Sequence, residues 1–188
     1  MIDSCAIPLR GRCPNCGCDN RLWRDFDDTY FCQHCNWEYD PKKEGVRKAE
    51  YLQSFPGTRI YLANPLGAPT AEEVVANMQR AERYLEYYSK LHPSKKFVAT
   101  HAWLPKFLDD NNPAERQFAL ECGQKILSFC DAILLCGSRI SAGMEAELRQ
   151  AVREEKPIFA DFVYPDWDWI LKAEEIILKE EKNCQGAG

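Results

Sequence analysis

A chain of 188 residues with 45% hydrophobic content and a formal net charge of -5 is long enough for one ordinary domain plus a small module. Its acidic balance argues against a protein whose main task is gripping phosphate backbones, and leaves room for a small phosphorylated ligand. No apolar run approaches the roughly 20 residues of a membrane span, and the first residues carry neither a basic nor a long apolar leader segment, so a cytoplasmic protein with no membrane partner is expected.

Residues 11–40 hold two Cys-x-x-Cys pairs, Cys13 with Cys16 and Cys32 with Cys35, either side of a segment that reads as a hairpin: residues 21–26, a turn at Asp27-Asp28, then residues 29–31. This is zinc-ribbon spacing. Each pair forms a tight knuckle, and two knuckles at the ends of a hairpin supply a closed tetrahedral site of four thiolates for a structural Zn2+; iron is the chemical alternative. Cys5 and Cys18 belong to no second pair and are left outside the ligand set. Of the 10 cysteines, Cys122, Cys130 and Cys136 fall in apolar contexts, where a thiol behaves as a small hydrophobe, which points to a reducing compartment.

The ribbon has two readings. Metal supplies folding energy to a piece too small to bury a core, or the ribbon binds nucleic acid. Its charges, Arg12, Arg21 and Arg24 against Asp19, Asp25, Asp27, Asp28, Glu38 and Asp40, make nucleic acid the less favoured partner. Trp23, Tyr30, Trp37 and Tyr39 read as its small core or a docking surface. Residues 40–45 form a charged connector, and residues 46–54 read as a short helix before Pro56-Gly57. The boundary is set near residue 50, giving a ribbon over 1–50 and a larger domain over 51–188.

From Thr58 strand and helix alternate. Residues 59–63 form a first strand ending in Asn64-Pro65-Leu66-Gly67. Thr70, with Glu73 three residues on, caps a long helix to about Leu91. Residues 96–100 make a second strand, followed by an irregular stretch from His101 to Pro113, long enough to suggest a functional loop. A helix over about 114–129 leads to a buried apolar run at Ile133, Leu134 and Leu135. Gly137-Ser138 breaks that run, and Ser141-Ala142-Gly143 opens another helix. Residues 157–161 give a further strand and a last helix runs from near Asp166 to Lys182. The expected fold is α/β: a small parallel, Rossmann-like sheet flanked by helices, preceded by a small β zinc ribbon. Ligands bind such sheets outside the carboxyl ends of the strands. Here those ends are 64–67, 101–103, 137–139 and Asp161.

Asn64-Pro65 after the first strand, Asp109-Asp110 with Arg116, Cys130-Asp131-Ala132, and Ser141-x-Gly143-Met144-x-x-Glu147-x-x-x-Ala151 together resemble the nucleoside 2-deoxyribosyltransferase superfamily over about residues 58–162. They are most similar to a branch carrying Ser-x-Gly-Met-x-x-Glu, often encoded by phages or bacteria. The resemblance implies a glutamate nucleophile at Glu147, sugar or 5′-phosphate binding by Ser141 and Gly143, a nucleoside or nucleotide substrate, and a homo-oligomer. Such chemistry suits a carboxylate, because breaking an N-glycosidic bond develops positive charge on the sugar. One departure stands out: an assisting aspartate of the better-known branches falls at Gly123. His101, Asp110 and Asp131 are the candidates to replace it.

The expected catalytic residues are therefore Glu147, Asp131 and His101. The expected substrate contacts are Tyr61, Asn64, Pro65, Gly67, Asp110, Arg116, Gly137, Ser138, Ser141, Gly143 and Met144. Glu147 has a plainer reading as a solvated helix carboxylate favoured by the helix dipole, and Arg116 as an ion-pair partner of Asp110. Alternatives to an N-glycosidase or transferase are a non-catalytic nucleotide-binding module, a nucleotide phosphoribohydrolase of the lysine-decarboxylase-like group, and an adaptor whose ribbon holds nucleic acid or protein.

Overall fold

The computed structural model describes residues 7–9, 13, 16–19, 22–24, 29–36, 38–39, 46–109, 112–161 and 168–186. Near the N-terminus, strands β1 (Ile7–Leu9), β2 (Leu22–Arg24), β3 (Tyr30–Cys32) and β4 (Glu38–Tyr39) pair in order as an antiparallel sheet. The expected hairpin is its centre, with Trp23 opposite Phe31. Each cysteine pair is followed by a residue in the left-handed region, Gly17 at φ 71° and Asn36 at φ 56°. Gly17 N–H donates to the Cys13 carbonyl at 2.8 Å and Asn36 N–H to the Cys32 carbonyl at 2.9 Å. Glycine and asparagine are the residues that enter this conformation most readily, so each knuckle closes where the sequence allows it.

The second sheet contains β5 (Val46–Lys48), β6 (Arg59–Ala63), β7 (Lys96–Val98), β8 (Ala132–Leu135) and β9 (Ile158–Ala160). All pairings are parallel and the order is β5-β9-β8-β6-β7. Helices α1 (Ala71–Leu91), α2 (Pro113–Ser128), α3 (Ala142–Arg153) and α4 (Asp168–Gly186) flank it. Thr70 caps α1 as expected, accepting from Glu73 N–H at 3.2 Å.

Val46–Lys48 corrects the expected helix over 46–54. These three residues are an edge strand beside β9, and only Ala49–Gln53 forms a helical turn, of 3-10 type. Three residues are too few to display a period, so tertiary pairing decides. The Val46 N–H also donates to the buried Glu174 carboxylate at 2.7 Å. The stretch expected to be irregular contains two 3-10 turns, Thr100–Ala102 and Leu104–Lys106.

Strand period fixes which helix covers which face. Ile60, Leu62 and Leu134 pack with Leu52, Ala81 and Tyr88 on the α1 side. Tyr61, Ala63, Ile133 and Leu135 face Leu127, Met144, Leu148 and Ile176 of α2, α3 and α4. Each fully buried leucine or isoleucine contributes about 1.5–3 kcal/mol. Because α1 leaves β6 toward β7 on one face and α3 leaves β8 toward β9 on the other, the carboxyl ends of β6 and β8 part. A crevice opens at this switch point.

Candidate active site and metal centre

Glu147 lies in the second turn of α3 yet is only 5% exposed. Its place follows from the cap. Ser141 accepts from Met144 N–H at 3.3 Å, starting the helix so that Met144, Leu148 and Ala151 enter the core and Glu147 stands beside them over β6. There the Tyr61 hydroxyl donates to Glu147 Oε1 at 2.6 Å and lies 2.9 Å from Thr100 Oγ1. His101 Nε2 is 3.9 Å from the same carboxylate oxygen. Glu147 Oε2 has no hydrogen-bond partner among the described residues, a costly condition for a buried carboxylate unless a ligand or water meets it.

Burial pushes the Glu147 carboxyl up to about 7, against the opposing pull of the Tyr61 hydrogen bond. Tyr61 is itself shifted well above the ordinary phenol range, first by burial and then by the Glu147 charge, so it stays a neutral donor. The resulting carboxyl keeps its proton to higher pH than an ordinary glutamate, is oriented on one oxygen by Tyr61 and is buried without a partner on the other.

Gly123 of α2 faces this cluster. A Cβ added there would lie 3.1 Å from the Tyr61 hydroxyl, 3.6 Å from Glu147 Oε1 and 3.8 Å from Thr100 Oγ1. Glycine lets α2 approach the carboxylate and keeps the space beside it clear.

Glu147 forms part of the wall of a cleft of about 740 Å3, together with Thr100, His101, Leu104, Arg80, Arg116, Arg139, Ser141 and Gly143. This volume lies within the roughly 300–1,000 Å3 of small-molecule sites. Its wall mixes the apolar side chains of Leu66, Leu104, Leu108 and Leu120 with Arg80, Arg116 and Arg139, the carboxylates of Glu73 and Glu115, and the α3 N-terminus.

The structure brings most of the expected residues to this crevice. Gly67, His101, Arg116, Ser141, Gly143 and Glu147 line the cleft; Asn64, Pro65, Gly137 and Ser138 line an adjoining cavity of about 450 Å3. Gly137 has φ 111°, and a Cβ there would come 2.9 Å from Pro65 Cδ, which explains the glycine at the break after β8. Three expectations need correction. Asp131 stands at the amino end of β8, away from the crevice, accepting from Thr58 N–H and Arg59 N–H at 2.9 Å each and from the Arg59 guanidinium at 2.7 Å. Those bonds, led by the Arg59 side chain, hold its carboxyl well below the usual range. Met144 is fully buried in the core. Tyr61 is also fully buried and reaches the cleft through Glu147 and Thr100, which line it. Asp110 lies outside the described residues.

Sequence reasoning passed over Arg80, Asn77 and Thr100. Arg80 sits on the polar face of α1, where an arginine carries no signal of its own. Arg139 and Asp161 lay at strand ends already marked as the crevice and were detectable by that rule.

Residues 58–161 match the family model described as a domain of unknown function (DUF7768). The chain belongs to that family. The match runs from the residue before β6 to the residue after β9, so the DUF7768 region contains Tyr61, Arg80, His101, Gly123, Arg139 and Glu147 and excludes the cysteine knuckles. No curated protein matches the chain.

The knuckles form the second chemical centre. The Sγ atoms of Cys13, Cys16, Cys32 and Cys35 all lie within 4.8 Å of one another, a cluster able to hold a metal ion. Cys13 and Cys35 are 3.7 Å apart and Cys16 and Cys32 3.8 Å. A tetrahedral site with metal–sulfur bonds of about 2.3 Å has edges of about 3.8 Å, so the thiols fit. Cys18, outside the expected set, lies 3.1 Å from Cys16 Sγ and 3.5 Å from Cys32 Sγ. Among the described residues, no helix is long and apolar enough to cross a membrane.

Proposed function

We propose that the chain breaks an N-glycosidic bond of a nucleoside, a nucleotide or a nucleotide-derived small molecule, with Glu147 as the nucleophile. The observation that carries this reading is the Glu147 carboxyl itself: buried at the floor of the switch-point cleft, oriented by Tyr61 through one oxygen, unpartnered at the other, and raised to about 7. Burial of a carboxylate costs stability, and such costs concentrate at functional sites.

The ionised Glu147 oxygen attacks the anomeric carbon as the bond to the base nitrogen breaks, and that electron pair leaves with the base. A proton must reach the departing nitrogen. His101, beside Glu147, is the candidate donor, taking the part of the assisting aspartate that the resemblance puts at Gly123. Water then attacks the glycosyl ester in a hydrolase; a second base attacks it in a transferase. The Tyr61 hydroxyl keeps the carboxylate aimed, and the guanidinium groups of Arg80, Arg116 and Arg139 in the cleft wall suit a 5′-phosphate.

The four knuckle cysteines are read as ligands of a structural zinc, which supplies folding energy and no step of this chemistry. Metal analysis of the purified protein is expected to give one zinc per chain, and iron would replace that identity. Base release from a nucleoside or nucleotide by the wild-type chain, lost in a folded Glu147→Ala variant, supports the enzyme. Stabilisation by nucleotides with no base release over long incubation leaves a binding module instead.

A further inference from the structure

Beside the Glu147 cleft lies the second cavity, and the two are not independent. Asn77, Arg80 and Arg139 line both, so two guanidinium groups stand at the neck between two lobes. Arg80 donates to Asn77 Oδ1 at 3.0 Å and Arg139 to the Gly67 carbonyl at 2.8 Å; among the described residues neither meets a carboxylate. Each guanidinium carries more donors than these bonds use. Paired, forked and solvent-accessible donors at a neck suit the oxygens of linked phosphates.

The far lobe differs from an anion pocket. Asp161, at the end of β9, stands in its wall with Tyr84 and Trp169. Asn64 is 2% exposed, and its Oδ1 has no partner among the described residues while its Nδ2 donates to the Pro65 and Asn77 carbonyls. The Asp161 carboxyl, which already accepts from the Tyr88 hydroxyl, and the unfilled Asn64 amide oxygen are acceptors. They receive hydroxyl or amino hydrogens and repel a further phosphate, as an acidic residue after a strand does when it holds a ribose. The half-buried Tyr84 ring adds apolar contact for a flat group.

We propose that the substrate is a nucleoside diphosphate joined through its terminal phosphate to a second hydroxyl-rich ring group, a dinucleotide being the simplest case. The glycosyl end to be cleaved lies over Glu147, the pyrophosphate at Arg80 and Arg139, and the second ring group in the lobe of Asn64 and Asp161. This inference rests on the reading of the crevice as a nucleotide site and deepens it.

Calorimetric titration tests it on the full chain. For each base, the 5′-monophosphate is compared with the corresponding symmetrical dinucleoside diphosphate, with inorganic pyrophosphate as a control, and base release is followed in parallel. The dinucleoside diphosphate is expected to bind at least about tenfold more tightly than the monophosphate, since a second occupied lobe adds contacts that the shorter ligand lacks. Asp161→Ala is expected to erase most of that preference. Arg139→Gln, at an exposed position, is expected to weaken pyrophosphate and dinucleotide binding alike. Tight dinucleotide binding without base release upholds this substrate class and removes the glycosidase. Base release from monophosphates at equal affinity for both ligands, undisturbed by Asp161→Ala, keeps the glycosidase and overturns the substrate class.

Discussion

Replacing Glu147 by glutamine keeps the shape and the acceptor for Tyr61 while fixing the group in a neutral form. In the wild type the carboxyl moves from an ordinary 4.5 to about 7 on folding, because burial penalises the charged form. The sign follows. Between those two values the unfolded chain loses its proton while the folded chain keeps it, so stability contributed by Glu147 falls as pH rises through this window. At about 1.4 kcal/mol for each tenfold change in proton affinity, the full effect is about 3.5 kcal/mol, most of it falling between about pH 4 and about pH 8. Glu147→Gln lacks that penalty. The difference in unfolding free energy between variant and wild type is therefore expected to grow by about 3 kcal/mol from about pH 4 to about pH 8. Urea denaturation followed by far-UV circular dichroism reads it as a midpoint separation that opens by about 1.5 M for a slope near 2 kcal/mol per molar. Both proteins share every other titrating group, so those contributions cancel. A difference that stays constant with pH refutes a buried, raised carboxyl at this position.

Three further outcomes follow from the same contacts. Tyr61→Phe removes the donor that pulls the Glu147 carboxyl down, so the rising limb of the activity–pH profile is expected to move to higher pH. Loss of a hydrogen bond to a charged group, about 1.5–3 kcal/mol, sets a fall in kcat of about ten- to a hundredfold. Gly123→Ala puts a methyl 3.1 Å from the Tyr61 hydroxyl; a loss of about 1–3 kcal/mol in thermal unfolding is expected, and an unchanged melting temperature would contradict the close approach of α2. Asp131→Asn weakens the grip on Thr58 and Arg59. Its carboxyl is held low, so its contribution is present above the ordinary carboxylate range and lost as pH falls through the depressed value. The variant is expected to be less stable by about 1–2 kcal/mol at neutral pH, with the gap closing in strong acid.

Much of the fold was legible because its signals are local. The apolar runs at 59–63 and 132–135 announced buried parallel strands, Thr70 with Glu73 marked a helix start, and two cysteine pairs around a hairpin marked the cysteine cluster that is able to hold a metal ion. Val46–Lys48 was not legible, since its pairing partner lies more than a hundred residues away and three residues carry no period. The carboxyl ends of the strands located the crevice correctly. The same rule excludes Asp131, which precedes β8 and so sits at the opposite end of the sheet. Glu147 stood out by resemblance, but the helical stripe of Met144, Leu148 and Ala151 left it on an edge, compatible with solvent. Its burial and its bond from Tyr61 depend on the register of β6 beside β8, which brings together residues 86 apart. Arg80 reaches the cleft only because α1 lies across the end of β6, a fact of packing with no counterpart in local sequence.

The most direct measurement is incubation of the full chain with mixed nucleosides, nucleotides and dinucleotides, read by mass spectrometry for freed base and for a glycosyl adduct on the protein. Base release by the wild type, an adduct mapping to Glu147, and loss of both in Glu147→Ala are expected. Release that persists in Glu147→Ala, or an adduct on another residue, contradicts the assignment of Glu147 as the nucleophile.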